Sequence, residues 1–211
     1  MQKKLLTAIL WCVFSVVLYA QQTPIITKWV TNNTTATDTT ITIPAYGSYT
    51  YAWANADNTQ TGSGTVNNTG TTSLSTVITF PSAREYTVSI FPTTTNFKFY
   101  FNASSITSTS QKLTELSQLD YSGWNADLSN MFRGCTKLKI TATDVPDFSN
   151  ATNMSYMFYS CQAVPNMQNW NTSNVINMLY MFGDATNFNQ PIKIYNDTQW
   201  SSFSPPACPN P

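Results

Sequence analysis

Three segments of this chain repeat one another, and that repetition limits the folds open to it more than any other feature. They read Leu-Ser-Asn-Met-Phe-Arg-Gly-Cys-Thr-Lys-Leu at 128–138, Met-Ser-Tyr-Met-Phe-Tyr-Ser-Cys-Gln-Ala-Val at 154–164, and Met-Leu-Tyr-Met-Phe-Gly-Asp-Ala-Thr-Asn-Phe at 178–188. The Met-Phe pairs begin at Met131, Met157 and Met181, 26 and 24 residues apart. An apolar residue stands three positions before each pair. Leu128, Met131 and Phe132 therefore share one face of a helical turn, as do Met154, Met157 and Phe158, and Met178, Met181 and Phe182. A unit of about 25 residues with one apolar strip cannot bury that strip alone, so its copies must stack. The expectation is a short solenoid of strands and helical turns over 105–195, with those nine residues as its core. Asn130, Asn150, Asn153, Asn174 and Asn177 recur at matching places and are expected to bond turn backbones along the stack.

Ahead of the repeats the period changes from helical to two. Thr40–Ile43, Tyr49–Trp53, Leu74–Phe80, Tyr86–Ile90 and Phe97–Phe101 alternate or bunch apolar residues between polar turns. Ile41 and Ile43, or Tyr86, Val88 and Ile90, would face one side, with Thr and Ser on the other. Threonine is β-branched and suits a pleated surface, so Thr-rich strands cost little. Several short strands within 21–104 predict an immunoglobulin-like β-sandwich. Asn55–Thr72, rich in Asn, Thr and Gly, reads as a long hairpin loop. The fold class is mainly β.

Lys3 and Lys4 precede an apolar run from Leu5 to Tyr19, and Ala20 stands before Gln21-Gln22-Thr23-Pro24. That order of basic, apolar and small residues is a secretory signal peptide over 1–20. A stretch of fifteen residues falls short of the roughly 20 a membrane-spanning helix needs. The expected setting is extracellular or on a bacterial cell surface. The segment 196–211 is proline-rich and expected to be irregular.

Composition narrows the chemistry. Charged residues make up only 9% of the 211 positions, ten basic against ten acidic, and there is no histidine. The commonest general base and metal ligand is thus missing, which excludes most hydrolase triads and His-based zinc sites. Cys135 or Cys161 as a nucleophile would lack a histidine partner. No glycine-rich phosphate loop and no basic field for nucleic acid is present. Asp144 and Asp147 flank Pro146, which disfavours a helix and leaves them turn or capping roles. Asp57 reads as a turn former. Arg133, Lys137 and Lys139 form the one basic cluster and read as a solvated repeat face. No catalytic residue, cofactor or metal site is expected, and the protein is not expected to be an enzyme. Tyr156, Tyr159 and Tyr180 are candidate exposed interface aromatics.

Two resemblances carry the reading further. Tyr49–Thr59 and Ser82–Ile90 are similar to PKD-like sandwiches of bacterial surface proteins, matching at Trp53 and Tyr86-Thr87-Val88, while Ala54-Asn55-Ala56 replaces that family's Gly-Asp-Gly turn. The segment 169–192 resembles the BspA-like leucine-rich-repeat surface proteins. Trp170, Ser173, Val175, Met178, Met181, Phe182 and Phe188-Asn189-Gln190 stand at the family's motif positions, and 142–158 is a second match. The resemblance implies a secreted or cell-surface recognition or adhesion protein that binds other proteins or cells. The rival is a carbohydrate-binding accessory module, in which Trp53 is a sugar platform rather than a core residue. A truncated remnant of a longer repeat protein is the third reading.

Cys135 and Cys161 follow Met-Phe at the same offset, and Ala185 takes that place in the third segment. Coils stacked at strand spacing would place them about 4.7–4.9 Å apart, inside the Cα window of a disulfide. Either that bond forms or two reduced thiols fill small buried slots. Cys208 is then the odd thiol.

Overall fold

The computed structural model describes residues 23–33, 36–102, 107–162, 166–167 and 169–188. The expected signal peptide at 1–20, the segment 196–211 with Cys208, and the Asn189-Gln190 motif positions lie outside the described residues.

Alternation builds the first region. In β1 (Ile25–Val30) Ile25, Thr27 and Trp29 are buried, and in β6 (Glu85–Pro92) Tyr86, Val88 and Ile90 are. The two pair antiparallel, Ile25 opposite Ile90 and Trp29 opposite Tyr86. Thr27 is tolerated inside because its hydroxyl donates to the Val88 carbonyl at 2.9 Å and accepts from the Trp29 indole at 2.8 Å. β3 (Tyr49–Ala54) lies on the far side of β6, and β4 (Thr61–Val66) lies beyond it. A second sheet has β2 (Thr40–Tyr46) between β5 (Leu74–Thr79) and β7 (Lys98–Phe99). The molecule is mainly β, in two sheets. A five-residue helix, α1 (Ser108–Lys112), is capped by Thr107 and carries Lys112 onto Asp38. Among the described residues no helix is long and apolar enough to cross a membrane.

The reading of Asn55–Thr72 as loop is corrected by β4. Gly62 and Gly64 stand opposite Trp53 and Tyr51, and a Cβ on either glycine would lie 2.4 Å from the facing ring. The rings of β3 fill the space that β4 side chains would occupy. An edge strand built this way shows no apolar alternation.

The first sheet continues past the boundary expected at 104/105. β8 (Leu113–Gln118) pairs antiparallel with β1, and β9 (Lys139–Ile140) then pairs parallel with β8. At the other edge Phe97, just before β7, bridges Trp124, and the Phe101 N–H donates to the Asn130 carbonyl at 3.0 Å. Rings in contact run in sequence from Trp29 through Phe101, Phe99, Phe132, Phe158 and Phe182 to Phe188. One core passes through both regions. Lys98 is buried at this junction between the rings of Tyr46 and Tyr100, its Nζ 5.0 and 4.9 Å from their centres, and it reaches Asp127 at 3.3 Å. Burial lowers the Lys98 pKa, against the Asp127 carboxylate that raises it.

The three Met-Phe segments are turns rather than helical turns. Residues Asn130, Tyr156 and Tyr180 have φ of 59°, 57° and 51°. That left-handed residue breaks the helical path, so alternate N–H groups leave the turn. Leu128, Asn130, Phe132 and Gly134 donate to the carbonyls of Asn153, Ser155, Met157 and Tyr159 at 2.7–3.0 Å. Met154, Tyr156, Phe158 and Ser160 donate in the same register to Asn177, Leu179, Met181 and Gly183 at 2.7–2.9 Å. Leu128, Met131, Phe132, Met154, Met157, Phe158 and Met181 are buried, while Met178 and Phe182 in the third turn are partly buried.

Candidate interaction surface

The inward side of each turn belongs to the core, so what the turns offer a ligand is on their outward side. Asp127, Asn153 and Asn177 open the turns by accepting, through Oδ1, the N–H of Ser129, Ser155 and Leu179 at 2.9–3.0 Å. Asn153 and Asn177 thus serve their own turns, not the neighbouring ones as the sequence suggested. Asn174 does reach along the stack, donating to the Ser149 carbonyl at 2.6 Å.

Beyond that opening, equivalent side chains line up in rows. Asn130, Tyr156 and Tyr180 form one row, all left-handed. Asparagine tolerates this backbone well. Tyrosine does not, at roughly 1–2 kcal/mol per residue, so two tyrosines there carry strain that packing alone does not require. The rings of Tyr156 and Tyr180 are stacked with centroids 5.3 Å apart. The next row is Arg133, Tyr159 and Gly183. The Arg133 guanidinium lies 4.7 Å over the Tyr156 ring and 5.1 Å over that of Tyr159, and Nη1 donates to Asn130 Oδ1 at 3.1 Å. Gly183 lies under the Tyr159 ring, where its Cβ would approach to 2.7 Å. The Tyr159 hydroxyl bonds Asp184, which raises the phenol pKa.

The result is a guanidinium and three tyrosine rings, of which Tyr180 is 44% exposed, and Leu179 and Ile176 of the same unit are exposed as well, at 45% and 77%. Tyrosine and arginine supply contact area at low entropy cost and concentrate in recognition surfaces. The sequence singled out the three tyrosines. It read Arg133 with Lys137 and Lys139 as a solvated face, but Arg133 lies on the rings while Lys139 belongs to β9. Leu179, Ile176 and Gly183 carry no sequence signal apart from their place in the repeat.

The other candidates resolve locally. Asp144 accepts from the Leu119 N–H, and Asp147 from the Ser149 N–H, so the two carboxylates hold separate backbone segments. Asp57 closes the β3–β4 turn through Thr59. Trp53 is half-buried, edge-on to Phe80 and Tyr86, in the core role. Among the described residues no cluster of three or more Cys, Asp or Glu is placed to hold a metal ion.

The disulfide that the shared offset allowed is not formed, and Cys135 and Cys161 are free and buried. The Phe132 carbonyl accepts both the Cys135 N–H at 3.1 Å and the Cys161 thiol at 3.0 Å. That contact directs the Cys161 sulfur to the first turn's backbone rather than to the Cys135 sulfur. Burial pushes the Cys161 thiol up to about 12 and raises that of Cys135 as well.

The family model described as "Mycoplasma protein of unknown function, DUF285" matches residues 126–205, a span that takes in all three turns and every residue of the tyrosine–arginine face. No curated protein and no solved structure matches the chain.

Proposed function

We propose that this is an exported recognition or adhesion protein of the extracellular space or bacterial cell surface. In this reading a PKD-like β-sandwich carries a short BspA-like leucine-rich-repeat solenoid, and the solenoid's outward rows bind a protein or cell-surface ligand. The observation that supports it is the row of strained tyrosines: Tyr156 and Tyr180 hold left-handed backbone and stack on each other, with Arg133 over Tyr156, on a face the core does not use. The test is binding of the purified chain to a panel of immobilised extracellular-matrix proteins and glycans. Tyr156→Ala and Tyr180→Ala are each expected to weaken binding to a protein of that panel at least about tenfold, as interface hot spots do. Binding that ignores both substitutions would refute this use of the face. Capture of glycans alone would favour the accessory-module reading.

A further inference from the structure

The turn stack closes one side of the two sheets and leaves the other open. It meets them at β9 and at β7, where Phe97 bridges Trp124. At the opposite edges stand β4 and β5, and among the described residues no strand lies beyond either. The Phe80 N–H donates to the Thr39 carbonyl at 2.9 Å, which sets the phase of β5. Leu74, Thr76 and Ile78 therefore turn their backbone groups to β2, and Ser75, Val77 and Thr79 turn theirs outward. Such a row of donors and acceptors is a template for another strand, and sheets ordinarily protect it with charge, proline or a bulge. β5 has none of these. It pairs with β2 in unbroken register from Leu74 to Thr79, and no charged residue stands between Asp57 and Arg84. Its apolar side chains are uncovered on both faces, Val77 at 62% and Leu74 at 45% exposure. The β4 edge presents Thr61, Ser63 and Thr65, with no exposed apolar side chain.

The occupant that fits the β5 edge is its own copy. An antiparallel partner must bring donors and acceptors at the same alternate positions, no charge, and an apolar side chain to meet Val77. A second β5, related by a two-fold axis at Val77, brings all of these. Val77 then stands opposite Val77 and Ser75 opposite Thr79, each pair exchanging two backbone hydrogen bonds. The same register sets Leu74 opposite Phe80 of the second copy.

We infer that two copies of this chain associate through β5, joining their three-stranded sheets into one sheet across the two copies. Edges of six residues make an interface at the small end of the size range, so the dimer is reversible and concentration-dependent. Both turn stacks stay free, because they lie at the far edges of the sheets. The pairing is independent of what the tyrosine face binds.

Sedimentation equilibrium of the purified full chain is the test, and a reversible monomer–dimer equilibrium is expected. Val77→Lys and Val77→Glu, at an exposed position, each set like charges across the axis and are expected to weaken association at least about tenfold. An equimolar mixture of the two variants is expected to associate again, as heterodimers, because in this register position 77 meets itself. Ser63→Lys on β4 is expected to change nothing. A chain that is monomeric throughout overturns the inference, as does association that both charged variants retain. A mixture that stays monomeric overturns the pairing at Val77. Association lost in Ser63→Lys would move the contact to β4 and overturn the inference as well.

Discussion

The two-sheet region and the Met-Phe turns hide their apolar residues by different rules. In the sheets each strand alternates inside and outside, and its partners are distant in sequence, as with Thr27 bonded to Val88 61 positions away. In the turns the backbone partners across the stack lie in the next unit, 25 or 23 residues on, and Met and Phe recur at the same two inward positions each time. Non-local networks of the first kind tend to be lost together. Nearest-neighbour stacks of the second kind can be lost one unit at a time. The junction through β8 and Lys98 is where the two rules meet.

The largest expected effect is at the middle of the stack. Phe158→Ala should cost about 3–5 kcal/mol, since the ring is fully buried between Phe132 and Phe182. Hydrogen exchange should then lose protection in the second and third turns and keep it in β1 and β6. Equal loss in β1 and β6 would break the comparison. Next is Leu116→Ala in β8, expected to cost roughly 3 kcal/mol for a fully buried leucine and to release amides on both sides of the junction. Protection lost in the turns alone would assign β8 to the stack.

A smaller effect depends on pH. The hydrogen bond from Lys112 and that from the Thr40 backbone hold the Asp38 carboxyl down at about 2. A lowered pKa in the folded state stabilises above the ordinary carboxylate range, and that contribution is lost as pH falls from about 4 towards 2. The stability gap between the native chain and Asp38→Asn should therefore close over that interval in denaturant titrations. A gap that stays constant would mean the Lys112 contact contributes nothing to the first region. The smallest effect is Tyr156→Asn, which copies Asn130 of the first turn. Relief of left-handed strain and loss of ring stacking oppose each other, so the change should stay within about 0.5 kcal/mol by chemical denaturation. A cost above about 2 kcal/mol would make the tyrosine row structural.

The sequence revealed whatever rests on periodicity. β2, β3, β5 and β6 follow the alternating runs, and the Met-Phe register follows from exact recurrence of residue type. It hid whatever rests on replacement or on tertiary neighbours. β4 has glycines where rings from β3 lie, so its pattern is written in another strand. The left-handed positions are signalled by Asn130 and Gly134 in the first turn, but tyrosine at that position in the second and third turns points away from such a backbone. Lys98 sits in the run Phe97-Lys98-Phe99-Tyr100-Phe101, where alternation alone does not tell that it is buried, and only Tyr46 and Asp127 explain how a cation is accommodated there. Arg133 was legible as charge and not as a planar group on two rings.

The second turn has a further property that follows from its bonding. Its peptide groups at Asn153–Met154, Ser155–Tyr156, Met157–Phe158 and Tyr159–Ser160 each accept from the first turn and donate to the third. Four rows of amides thus point the same way, and their dipoles add as they do along a helix instead of cancelling as they do between antiparallel strands. The third turn stands at the positive pole of this small electret, and the chain places the carboxylate of Asp184 there, where the first turn has Gly134 and the second Ser160. The field at that end stabilises the negative charge of Asp184.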